Sequence, residues 1–89
     1  MPKVKIPPPY QGPTNGESLI EVAGGTVREC VEAVEARYPG FAAQIFDAAG
    51  RVHKFVKLFV NGAEIDRTDT DYEVADGDEL EILAAIAGG

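Results

Sequence analysis

Few side chains in this sequence are of a kind that performs chemistry. His53 is the only histidine, so no Ser-His-Asp set has a base and no multi-histidine metal site can form. It stands beside Lys54 in a stretch that reads as loop, where a surface histidine is the expected state. Cys30 is the only cysteine and cannot form an intramolecular disulfide. It falls on the apolar face of a helical pattern, which makes it a buried, inert thiol. Gly24-Gly25 precede that helix, and a helix N-terminus can cradle a phosphate. With no lysine and no longer phosphate-loop pattern, a turn is the expected role. The acidic residues of the C-terminal half lack EF-hand spacing. Neither a bound cofactor nor a metal site is expected.

The remaining feature is the final dipeptide, Gly88-Gly89. Without Cβ atoms, glycines thread narrow channels in backbone conformations closed to other residues. A carboxylate on such a tether can be delivered into another protein's active site. Ala84, Ala85 and Ala87 keep the approach slim, and Ile86 is its only bulky side chain. A carboxylate acylates poorly because its leaving group is oxide. A mixed anhydride with AMP removes that obstacle. A sulfur nucleophile then gives a thiocarboxylate, and a lysine gives an isopeptide bond.

The preceding residues must build a body that holds this end. Lys3 to Ile6 alternate as a half-buried strand does, and Pro7-Pro8-Pro9 must end its ladder. Residues 10–16 read as a turn-rich loop, and 17–23 as a second, antiparallel strand. Thr26 and Glu29 have capping-box spacing. Val27, Cys30, Val31, Val34 and Tyr38 then recur on one helix face, until Pro39-Gly40 stops it. Residues 41–46 suggest a short second helix. Residues 54–60 form a strand, Asn61-Gly62 a hairpin turn, and 63–65 a brief return. A turn at Asp76-Gly77-Asp78 leads to the last strand, 79–83. The expected organisation is one domain over 1–83 and an extended, flexible tail over 84–89. The class is α+β: a mixed sheet of four to five strands with one main helix on one face. This order resembles the ubiquitin-like β-grasp fold, in which the first and last strands run side by side and parallel in mid-sheet. Strand one can do so only if it pairs before Pro7.

Composition sets limits on partners. The formal net charge is −7, and nucleic-acid binding needs Lys and Arg to displace counterions. An anionic membrane surface is disfavoured for the same reason. Between Glu64 and Glu81 the only basic residue is Arg67, which gives a solvated acidic surface or one that steers toward a basic partner. There is no apolar run long enough to span a bilayer and no signal-peptide pattern. With its lone thiol, the chain is expected in the cytoplasm.

The sequence resembles the MoaD/ThiS sulfur-carrier family, and more closely its CysO-type members. The matching stretches are Val4-Lys5-Ile6-Pro7, the capped helix from Thr26 to Tyr38, His53-Lys54-Phe55-Val56, Phe59-Val60-Asn61-Gly62, Ala75-Asp76-Gly77-Asp78 and the ending Ala85-Ile86-Ala87-Gly88-Gly89. The resemblance implies a protein co-substrate rather than an enzyme. Gly89, with Gly88 before it, would be adenylated by a ubiquitin-activating-type (MoeB/ThiF-like) enzyme using ATP and Mg, then converted to the thiocarboxylate. It also implies a sulfur acceptor, either a PLP-dependent cysteine synthase or an enzyme of sulfur-containing secondary metabolites, and a JAMM-type metalloprotease as a further partner. The alternatives are a ubiquitin-like modifier conjugated to lysines and the small subunit of molybdopterin synthase.

Strand alternation locates a docking patch. Val56, Leu58 and Val60 share one face of their strand, and Phe55, Lys57 and Phe59 the other. Leu80 and Ile82 oppose Leu83 in the same way. Phe59 and Leu83 are therefore expected together on the helix-free face, with Ile86 as an anchor in the tail and acidic residues as a rim.

Overall fold

The computed structural model describes residues 1–85. The elements in chain order are β1 (Lys3–Lys5), a 3-10 turn (Pro8–Tyr10), β2 (Leu19–Glu21), α1 (Val27–Arg37), α2 (Ala42–Ile45), β3 (Val56–Val60), β4 (Ala63–Ile65) and β5 (Glu79–Ala84). They form one sheet in the order β2-β1-β5-β3-β4. β1 and β5 are parallel, and the other neighbours are antiparallel. A central last strand, parallel to the first, is the β-grasp arrangement expected from the sequence.

β1 does pair before the prolines. Its register runs from Lys3 opposite Glu79 to Lys5 opposite Glu81. Pro7 follows the last donor, the Ile6 N–H, which reaches the Ser18 carbonyl at 2.8 Å. The prolines then turn the chain through the 3-10 segment, where a missing N–H costs nothing.

α1 begins as its spacing requires. The Thr26 hydroxyl accepts from the Glu29 N–H at 3.1 Å. The Glu29 carboxylate accepts in turn from the Gly25 N–H at 2.8 Å, one residue ahead of the cap. At the other end the Tyr38 N–H donates to the Val34 carbonyl, and Gly40 turns the chain with φ of 103°. The Glu35 carboxylate then accepts from the Ala42 N–H at 2.8 Å, joining α1 to α2.

The core lies between α1 and one face of the sheet. Val4, Val56, Leu58, Leu80 and Ile82 of the strands and Val27, Cys30, Val31 and Val34 of the helix are at most 2% exposed. Phe41, Ile45 and Val52 close one end of this layer, also buried.

The segment from Asp66 to Asp78 forms no long element, yet it is tied to α1. The Val27 and Arg28 N–H groups donate to the Tyr72 and Thr70 carbonyls at 3.0 and 2.9 Å. The Val74 N–H donates to the Gly25 carbonyl at 3.0 Å. The free N–H groups of a helix start are thus satisfied by a distant loop, a pairing that local sequence does not encode.

One boundary differs from expectation. β5 continues past Leu83 to Ala84, which pairs with Val56, and the Ala85 N–H donates to the Phe55 carbonyl. Small side chains do not loosen this stretch, because backbone pairing with β3 holds it. The flexible tail expected over 84–89 therefore does not begin at 84. Ile86, Gly88 and Gly89 lie outside the described residues.

Candidate functional site

The alternation of β3 and β5 places Phe59 and Leu83 on the helix-free face. Their neighbours in sequence, Leu58, Val60 and Ile82, are buried against the helix side. Leu83 is 37% exposed and Phe59 is half-buried. The register makes them diagonal neighbours: Lys57 lies directly opposite Leu83, and Phe59 lies opposite Glu81. Diagonal positions remain within reach of an aromatic side chain.

One row crosses the whole sheet through this point, namely Leu19, Lys5, Glu81, Phe59 and Glu64. Lys5 Nζ is 3.8 Å from Glu81 Oε2, and Lys57 Nζ is 3.5 Å from Glu64 Oε2. The rim around Phe59 and Leu83 is therefore of mixed sign, not the acidic border expected. Lys5 and Lys57 stand among its carboxylates because strand alternation puts them on the same face. Much of the acidic charge sits at the far end of β5, where Asp76 pairs with the N-terminal amine at 3.0 Å.

Sequence reading did not foresee the groove beside Leu83. It is lined by Pro7, Pro8, Gln11 and Ser18 together with Lys5, Ile6, Glu81 and Ile82, and holds about 270 Å³. The prolines, read only as a ladder stop, form one of its walls. Phe55, 52% exposed, stands just before β3, and its carbonyl takes the Ala85 N–H. Two exposed apolar side chains, Phe55 and Leu83, therefore stand close to the last described residues of the chain.

The other candidates resolve as packing. Cys30 is fully buried, and burial, with the charge of Glu29 beside it, pushes its thiol up to about 11. Such a thiol is neither a nucleophile nor a ready metal ligand. Gly24 is required by close approach: a Cβ there would lie 3.0 Å from the Cys30 backbone nitrogen and 3.2 Å from its Sγ. The start of α1 has no donors left for a phosphate, since Thr26, Thr70 and Tyr72 accept from its first N–H groups. His53 is half-buried at the surface, with Nε2 3.4 Å from the Ala43 carbonyl oxygen. Its own N–H is drawn in by the Ile45 carbonyl at 2.9 Å. Among the described residues no group of His, Cys, Asp and Glu could hold a metal ion. Among the same residues no helix is long and apolar enough to cross a membrane.

A parallel β1–β5 pair in a mixed sheet, with a capped helix over one face and the other face open, defines a small β-grasp protein. The profile of the ThiS family matches residues 9–89, and the chain belongs to that family. It is 32% identical to the sulfur carrier protein CysO of Mycobacterium tuberculosis over 89 residues, 97% of this chain and 96% of that one. It is also similar to a chain in the crystal structure of the Amycolatopsis orientalis BexX/CysO complex. There the identity is 36%, both chains are covered completely and the TM-score is 0.90. The crystal structure of M. tuberculosis CysO superposes with a TM-score of 0.88 at 28% identity, over 97% of this chain and all of that one. The chain is a CysO-like member of its family.

Proposed function

We propose that this protein is a sulfur carrier and that its sulfur is held at Gly89 as a thiocarboxylate. The observation that carries the reading is the near full-length likeness to CysO, in a family whose profile runs through the final diglycine. ATP would convert the Gly89 carboxylate to an acyl-adenylate with release of pyrophosphate, on a MoeB/ThiF-like enzyme that holds the nucleotide and Mg. A sulfur nucleophile would then displace AMP. The resulting –C(=O)S⁻ is soft and nucleophilic at neutral pH. It would be consumed by a sulfur-acceptor enzyme, of the PLP-dependent cysteine synthase type or one that makes a sulfur-containing metabolite. A JAMM-type metalloprotease would release a product formed on the carrier. A chain whose one thiol is buried suits the cytoplasm, where these partners would meet it.

In this reading the chain supplies reach and docking rather than catalysis. Ladder pairing extends to Ala84, and four residues from Ile86 to Gly89 span at most about 14 Å when extended. A partner must therefore seat its active site close to the end of β5. Phe59, Leu83 and the groove at Pro7-Pro8 offer the surface for this, with Ile86 as the next anchor. Fixed reach makes the reaction sensitive to chain length, because misplacement by one residue costs effective molarity steeply.

The test is intact mass spectrometry of the protein from its native host. Replacement of one oxygen by sulfur, lost on deletion of Gly89, supports the carrier. Ladders on other proteins would instead identify a modifier, and stable co-purification with a large catalytic subunit would identify a molybdopterin synthase subunit. In a reconstituted assay the chain lacking Gly89 should fold normally and abolish ATP–pyrophosphate exchange. Undiminished exchange would sink the proposal.

A further inference from the structure

Away from the sheet's open face, three of the chain's arginines converge. Arg28 comes from α1, Arg51 from the turn after α2 and Arg67 from the loop after β4. With Gly50, Thr68 and Thr70 they line a cavity of about 180 Å³. This gathering is unexpected in a protein with a net charge of −7. Among the described residues no carboxylate oxygen lies within 4.0 Å of any of the three guanidinium groups. The nearby carboxylates are engaged in their own turns. Asp47 accepts from the Ala49 and Arg51 N–H groups, and Asp66 accepts from the Thr68 N–H and hydroxyl.

Arg28 and Arg67 are held in place with most of their donors unspent. Arg28 Nη2 donates to Thr70 Oγ1 at 2.8 Å, and its guanidinium lies over the Phe46 ring at 5.3 Å. Arg67 Nη1 donates to the Val52 carbonyl at 2.9 Å. Arg51 makes no side-chain hydrogen bond among the described residues. A guanidinium carries five N–H donors, so several remain around the cavity. Thr70 Oγ1 accepts from Arg28, which leaves its own hydrogen free to donate. Gly50 contributes bare backbone: a Cβ there would already be 3.9 Å from Arg28 Nη1.

We propose that Arg28, Arg51 and Arg67, with the Thr70 hydroxyl, form a binding site for one tetrahedral oxyanion of the phosphate class. Donors arriving from three separate elements match a group with oxygens on several sides better than a planar carboxylate with two. Asp47 and Asp66 attract Arg51 and Arg67 from nearby without bonding to their guanidinium groups, so the guanidinium donors stay free for an anion. Charge-assisted bonds from arginine to phosphate are among the stronger hydrogen bonds in proteins. The volume is below the roughly 300–1,000 Å³ of pockets that enclose drug-sized ligands. The site therefore takes the anionic group itself, either free or as the phosphoryl end of a larger molecule whose remainder stays outside. The site does not depend on the sulfur-carrier reading.

The experiment is a titration of the isotope-labelled full chain with inorganic phosphate, against chloride at matched ionic strength, read by nuclear magnetic resonance. Phosphate should shift the amide signals of Gly50, Thr68 and Thr70 and the arginine Nε signals saturably. Arg51→Gln keeps every hydrogen bond described above and should weaken binding by about tenfold or more. Lys57→Gln, on the open face of the sheet, should leave it unchanged. A second titration with AMP separates the sources: tighter binding than inorganic phosphate indicates a phosphoryl ester, and equal or weaker binding indicates the free anion. Shifts no larger than those from chloride, or equal affinity in Arg51→Gln, overturn the proposal.

Discussion

The two faces of the sheet come from the same strands and obey opposite rules. On the covered face Val4, Val56, Leu58, Leu80 and Ile82 meet the helix and are almost wholly excluded from water. On the open face the intervening positions are Lys3, Lys5, Lys57, Phe59, Glu79, Glu81 and Leu83. A slip of one residue in register would exchange the sets and bury Lys5 and Glu81. The alternation thus fixes the register and frees the open face from any duty in the core. Substitutions on the covered face should cost folding, and those on the open face should cost only binding.

The largest effect is expected at the centre of the covered face. Leu80 is fully buried in the strand that both β1 and β3 flank. Leu80→Ala should destabilise the fold by about 2–5 kcal/mol, through lost burial and the cavity left behind. Urea denaturation of parent and variant measures it. A loss under about 1 kcal/mol would break the distinction between the faces, since a core of this kind cannot absorb such a void cheaply.

A smaller loss is expected where the chain enters α1. At Gly24 an added Cβ would meet backbone atoms, 3.0 Å from the Cys30 nitrogen and 3.1 Å from the Glu29 carbonyl carbon. Gly24→Ala should cost about 1–3 kcal/mol, the usual range for overpacking. The contact with Cys30 Sγ is also short, but removing it with Cys30→Ala should not restore stability, because the backbone contacts remain. Recovery in the double variant would show that the side chain, not the helix backbone, sets the constraint.

These two sites differ in how legible they were. Leu80 could be placed from alternation, the end of β1 from its prolines and the Thr26 cap from its spacing to Glu29, because each depends on residues close in sequence. Gly24 read only as a break before the helix, since its neighbour in space is set by packing. The partners that complete the start of α1 are Thr70 and Tyr72, more than forty residues away from the amides they accept. The arginine cavity draws on three separate elements and was invisible for the same reason. At the open face, strand alternation identified Phe59 and Leu83, with Lys57 on the same side, but not Lys5 beside them or the proline wall. Those depend on which residues of β1 and its following turn lie beside β5.

Acid should reveal a further, modest contribution at the hairpin end of the sheet. The Asp78 carboxylate accepts from Asn61 Nδ2 and from the Ala75 N–H, both at 2.9 Å. These bonds, Asn61's first, hold its pKa below the ordinary 3.8. A folded-state pKa below the unfolded one gives stability that is present above the unfolded value and lost as pH falls through the folded one. The excess stability of the parent over Asp78→Asn should therefore shrink as pH falls below 3.8. Thermal melts across that range test this, and a difference that does not vary with pH would remove the carboxylate from the account. Asp78 is only half-buried and solvent reaches it, so screening should keep the effect much smaller than that at Leu80.

The smallest effect on folding is expected at Leu83, and there the comparison is sharpest. Its side chain is 37% exposed, and the strand pairing around it runs through backbone atoms that alanine keeps. Leu83→Ala should shift stability by less than about 1 kcal/mol, since little apolar area leaves the interior. The same change removes apolar surface from the groove wall beside Pro7 and Pro8, next to the point where the chain leaves the sheet. If the adenylating enzyme grips this face, binding should weaken by more than about 1 kcal/mol, as for a central contact residue. Phe59→Ala should add a comparable loss, because the two side chains are diagonal neighbours on one surface. Calorimetric titration of each folded variant against the enzyme decides the matter. Parental affinity in both would move the docking surface off this face and leave Leu83 as an ordinary exposed apolar residue.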